Sequence, residues 1–143
     1  MLDAIETRLQ ARVPVLSGRI RKAADFSRLL ASRRPPSGGV SAYLIPSSRR
    51  GGRSAASAGT FAQEVLTGVT IALFLTSVDA AGAHALDKIE DLLADIEKAI
   101  CGWAPGEEVG VFELATSRFT PGGDGLMSWL IEFRIMDHLR IDE

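Results

Sequence analysis

The 143-residue chain has one cysteine and two histidines, too few to build a disulfide framework or a structural zinc site. It has no apolar run near the roughly 20 residues that cross a bilayer as a helix. Its N-terminus, Met1-Leu2-Asp3-Ala4-Ile5-Glu6, places acids where a signal peptide has an apolar core. The expectation is a soluble chain made in a reducing cytoplasm, with no membrane partner. A phosphate-binding loop is also missing: Gly38-Gly39 and Gly51-Gly52 lack the spaced glycines and the Lys-Ser/Thr ending that loop requires. Hydrophobic residues make up 46% and charged residues 24%, which is globular composition. The length fits one domain, residues 1–143, large enough for a single core.

The net charge of −2 hides a division along the chain. Residues 1–53 hold 11 of the 16 Lys and Arg and 3 of the 18 Asp and Glu, a net +8, while residues 54–143 carry −10. Three readings follow: a basic segment that seeks an outside polyanion, complementary surfaces that meet between subunits, or two solvated faces.

Apolar spacing predicts a first helix over residues 2–13, through Leu2, Ile5 and Leu9, ended by Pro14. Val15–Arg21 reads as a short extended or turn segment, and Ala23–Ala31 as a second helix. Ser32–Gly39, with two prolines and two glycines, is a break. Val40–Ile45 reads as a short strand closed by Pro46. From about residue 46 to 60 the chain is small, polar and cationic with nothing to bury, so a long mobile Arg/Gly/Ser loop is expected. Phe61–Thr76 alternates as a strand that at about 3.3 Å per residue approaches 50 Å, longer than a small body is wide. Ala81–Ile100 reads as a long amphipathic helix with an acidic outer face, followed by Gly102 as its stop. Val109–Ser117 and Leu126–Asp137 read as two antiparallel strands. The expected fold class is α+β: a small, mostly antiparallel sheet with one long amphipathic helix packed on it and two short N-terminal helices.

No residue set suggests catalysis, a cofactor or a metal. His84 and His138 have no ligand-spaced partner, and Cys101 sits at a helix C-terminus, which disfavours its thiolate. Glu107 and Glu108 adjoin, so in a strand they point to opposite faces. Asp87, Asp91 and Asp95 share a helix face but lack the turning glycine of a calcium loop. They suit a solvated face or one that docks a cationic surface. The conspicuous basic feature is Arg33 and Arg34 followed by Arg49, Arg50 and Arg53. An RGG-like patch can bind single-stranded nucleic acid, usually with aromatic neighbours for stacking, and here only Tyr43 and Phe61 flank it. Arg33, Arg34, Arg49, Arg50, Arg53, Asp87, Asp91 and Asp95 are the candidate interface residues.

Several segments, in order, resemble the tail terminator (tail completion) proteins of long-tailed bacteriophages. They are Arg12-Val13-Pro14-Val15-Leu16, Ala23-Ala24-Asp25-Phe26, Ala42-Tyr43-Leu44-Ile45-Pro46, Phe61-Ala62-Gln63-Glu64-Val65 and Gly102-Trp103-Ala104-Pro105. Such chains often carry an acid soon after the position of Pro46, where this one has Ser47-Ser48-Arg49-Arg50. The resemblance implies a non-enzymatic virion protein of the tail–neck region, assembled in the host cytoplasm. It implies a homohexameric ring that caps the tail tube and joins it to the head or neck connector, with DNA met only in the ring lumen. Another head–tail joining subunit, or a nucleic-acid-binding module using the arginine-rich loop, are the alternatives.

Overall fold

The structure is a computed structural model that describes residues 1–22, 24, 39–76, 89–121 and 126–142. Helix α1 spans Leu2–Arg12 and turns Ile5 and Leu9 into the core, with Asp3 in its first turn and Arg12 in its last, as the helix dipole favours. The Val13 N–H returns to the Leu9 carbonyl at 2.7 Å. Pro14 then begins a single 3-10 turn, Pro14–Leu16, at a position where its missing N–H loses no bond. The chain passes into β1 (Ile20–Lys22), β2 (Val40–Ser57) and β3 (Thr60–Thr76). Helix α2 (Ile89–Ile100), β4 (Glu113–Pro121) and β5 (Leu126–Asp142) complete the described elements.

The five strands form one sheet in the order β1-β2-β3-β5-β4. β1 runs parallel to β2, with Ile20 beside Ala42, and every other pairing is antiparallel. One face carries Ala42, Leu44, Val69, Ile71, Leu73, Leu75, Ile131, Phe133 and Ile135 into a core shared with Ile5 and Leu9 of α1 and with Ile96 and Ile100 of α2. The other face holds a smaller cluster, in which Tyr43 and Phe74 meet edge to face at 5.4 Å. With both faces covered, Ile71–Leu75 is buried at five successive residues. A strand clothed on one side only would alternate instead.

The expected fold class is corrected in three respects. The sheet is mixed, with β1 parallel to β2, and it is not small: it has five strands, of which β2, β3 and β5 each run 17 or 18 residues. The described helix α2 has 12 residues and packs chiefly against α1, not as a long helix laid on the sheet; residues 81–88 of the expected helix lie outside the described residues. Two short N-terminal helices are not found among the described residues: after α1 come the Pro14–Leu16 turn and parallel strand β1, because Pro14 stops the helix and the Arg19 carbonyl accepts the Ala42 N–H at 2.9 Å. The expected second helix, Ala23–Ala31, falls outside the described residues apart from Ala24.

The loop expected at 46–60 is also overturned. It is the outer half of β2 and the turn of a hairpin, paired with β3 down to Ser57↔Thr60. Side-chain hydrophobicity reports burial, not backbone pairing, and here the backbone of β3 supplies the partner.

A candidate assembly surface

The β2–β3 hairpin closes through Ala58-Gly59, and Gly59 adopts φ 78°, a left-handed conformation that a side chain would strain. Two register shifts interrupt the ladder, between Pro46 and Ser48 and between Gly51 and Ser54. At the second, Gln63 Nε2 donates to the Gly52 carbonyl at 3.3 Å. Every residue of β2 from Pro46 to Ser57 is exposed. β5 follows β3 over the same length, ending at Thr60↔Asp142. The outer parts of β2, β3 and β5 therefore make a three-stranded arm extending from the buried part of the sheet.

Among the described residues each margin of this arm has a stretch with no further strand beside it. Beyond Leu44, β2 has no strand partner but β3 among the described residues. On the opposite margin β4 accompanies β5 only to Arg134. The segment before β4 continues alongside, with the Gly110 N–H on the Met136 carbonyl at 2.9 Å and the Val109 N–H on Asp137 Oδ1 at 3.4 Å. From His138 to Asp142 the outer margin of β5 has no strand partner among the described residues.

The end of α2 places that segment. Gly102 takes φ 80° just past the helix, and its N–H donates to the Phe112 carbonyl at 2.9 Å while the Phe112 N–H donates to the Trp103 carbonyl at 2.9 Å. Arg8 of α1 locks the same corner: its Nε donates to the Ala99 carbonyl at 2.5 Å and its guanidinium lies 4.6 Å from the centre of the Trp103 ring. Desolvation, and then the neighbouring Arg12 charge, lower the Arg8 pKa, yet a guanidinium so placed stays cationic at physiological pH. Glu107 and Glu108 lie on the excursion between Trp103 and Phe112, not in a strand, and Glu108 accepts the Gly106 N–H at 2.8 Å. They precede Val109 and Gly110, the residues tied to Asp137 and Met136 of β5.

Of the candidate interface residues, Arg33, Arg34 and Asp87 lie outside the described residues. Arg49, Arg50 and Arg53 lie along the exposed outer length of β2, Arg49 and Arg50 as successive residues on opposite faces of the strand, and Asp91 and Asp95 stand exposed on α2. Among the described residues the two sets form no ion pair with each other: those described are Lys22–Asp3, Arg134–Glu132 and Arg140–Asp142. That the segment of Glu107 and Glu108 runs beside β5 was missed because Val109 is far from Asp137 in sequence, and only the turn at Gly102 brings the two together. Cys101 is exposed; desolvation first, then Glu97 and Glu113, raise its pKa against the lowering effect of a backbone hydrogen bond at Leu114. A shallow depression at the arm's tip is lined by Ser57, Gly59, Thr60, Phe61 and Ile141. Among the described residues no three His, Cys, Asp or Glu are grouped to hold a metal ion, and no helix is long and apolar enough to cross a membrane.

What this surface presents is backbone margin and segregated charge, the means by which protein subunits bind one another. The sequence matches the family model of the phage tail terminator protein over residues 2–142, and the chain belongs to that family. It is thus a structural protein of the bacteriophage tail, located in the virion and interacting with other tail components, and the family is not a class of enzymes. A comparison with curated proteins returns no match.

Proposed function

We propose that this chain, acting as one domain over residues 1–143, forms a homohexameric ring that caps the tail tube and joins the tail to the head or neck connector. Ring assembly takes place in the host cytoplasm, and DNA is met only as it passes through the lumen. The observation that carries the reading is the three-stranded arm with Arg49, Arg50 and Arg53 on its exposed margin. A surface of one charge on a protein whose other half is acidic suits a head-to-tail contact, in which unlike patches of successive copies meet and the rotation closes a ring. In this reading the arginines, with Arg33 and Arg34, face acidic surface of the next copy, including Asp87, Asp91 and Asp95.

Native mass measured against salt, together with complementation of a phage lacking this protein, tests the proposal. The wild-type chain should form a six-copy particle that weakens as salt rises, and the double variant Asp91→Lys/Asp95→Lys should shift it toward monomer with little change in melting temperature. Without the protein, tubes should lack a defined end and fail to join heads. Rings indifferent to salt would remove the charge pairing, and normal particles without the protein would remove the capping role. Retention of the free monomer on DNA with a steep salt slope would favour a nucleic-acid module instead.

A further inference from the structure

We infer that copies of this chain join by continuing the sheet, the outer margin of β2 in one copy pairing in parallel with the outer end of β5 in the next. This deepens the ring reading above and rests on it. The first ground is that, among the described residues, both margins of the same arm have stretches with no further strand. Residues 46–57 of β2 are exposed throughout, and residues 138–142 of β5 pair only with β3 among the described residues. A run of unpaired N–H and C=O groups this long is a template for another strand, and a soluble protein ordinarily blunts or covers it.

The second ground is direction. β2 and β5 are each antiparallel to β3, so they run the same way. Copies related by rotation about an axis along the arm bring the β2 margin of one beside the β5 margin of the next with strands parallel. The two margins are unlike, so the contact is head-to-tail, the kind that makes a ring when its rotation closes. The third is charge at matching height. Gly51 pairs with Val65, and Val65 pairs with Asp137. Arg49, Arg50 and Arg53 therefore stand about level with Asp137, to which the segment following Glu107 and Glu108 is tied through Val109, but on the far margin of the same arm, where they can meet only in a neighbour. Each copy adds three strands, and six would give a wall of eighteen, a number that in closed barrels leaves an open channel.

The backbone can be tested apart from the charge. By strand alternation the N–H groups of Ser54 and Ala56 point away from β3, so proline there removes a donor from the open margin and none from the ladder. Ser54→Pro and Ala56→Pro should keep the melting temperature of the monomer and lose the ring. In the wild-type ring, amide exchange at Ser54, Ala56, His138 and Arg140 should slow by about tenfold or more relative to the monomer. If the proline variants do not fold, exchange on the wild-type chain decides alone. Rings in which these amides exchange as in the monomer overturn sheet continuation and leave the ring reading standing. If no ring forms, both fall. Protection that arises only when tail tube protein is added also overturns it, since the partner is then not a second copy.

Discussion

One strand, β3, has two halves that hold together for different reasons. From Val69 to Leu75 it is locked by side chains, six of the seven residues being buried between two apolar clusters. From Thr60 to Gly68 it has the same neighbours, β2 and β5, but pairs with a β2 whose residues are all exposed. The inner half gains its stability from burial, about 1.5–3 kcal/mol for each fully buried aliphatic or phenyl side chain. The outer half rests mainly on the backbone ladder, whose net contribution per bond is about 1 kcal/mol. The base should therefore unfold as a unit while the arm opens locally first.

The largest break in this comparison comes from the base. Phe133, 1% exposed on β5, truncated to alanine should cost about 3–5 kcal/mol, measured by denaturant unfolding, and the whole chain should melt with it. A loss under about 1 kcal/mol would mean that the core is not the principal support of the base. Gly59→Val probes the arm alone. It should cost about 1–2 kcal/mol through the strained left-handed turn, and faster amide exchange should appear in residues 46–66 while Ile71–Leu75 stay protected. Equal loosening of both halves would show the sheet to be one cooperative unit. Arg8→Ala should cost about 1 kcal/mol by removing the Ala99 hydrogen bond and the Trp103 contact. Arg8→Lys should recover only part of it, since an ammonium cannot reproduce the planar fork. Cys101 gives the smallest effect, one of reactivity only. With its pKa raised, the thiol is neutral at and below physiological pH, so alkylation should be slower than for an unperturbed cysteine at pH 8 and should accelerate only in more alkaline buffer. A thiolate already reactive at neutral pH would contradict the acidic setting of Glu97 and Glu113.

Legibility from sequence followed the same division. α1 was evident from Leu2, Ile5 and Leu9, and β3 from its alternating valines and leucines, because in both the side chains do the holding. The outer part of β2 was not, since Ser47–Ser57 buries nothing and earns strand structure only from β3 beside it. Parallel β1 was hidden for a related reason: three residues offer no periodicity, and their partner lies across the Ser32–Gly39 break. Composition did locate the arginines of the candidate surface. The opposite margin needed the fold of the Gly102–Phe112 turn before the segment after Glu107 and Glu108 could be seen to run beside Asp137.

β3 also sets the order in which the molecule can be made. Its β2 partner precedes it by a two-residue turn, whereas its β5 partner arrives only after α2 and β4 have passed. A hairpin closes in about 1–10 μs, but long-range pairing across an intervening helix must first overcome the entropy of a large loop, and sheets of such topology fold in milliseconds to seconds. During that interval the hairpin exists with β3 bare on one side. The same wait applies to the β5 margin, so a newly made chain cannot present both sides of its arm until its slowest contact is complete, and the folding clock of one strand becomes the earliest time at which a subunit can be used.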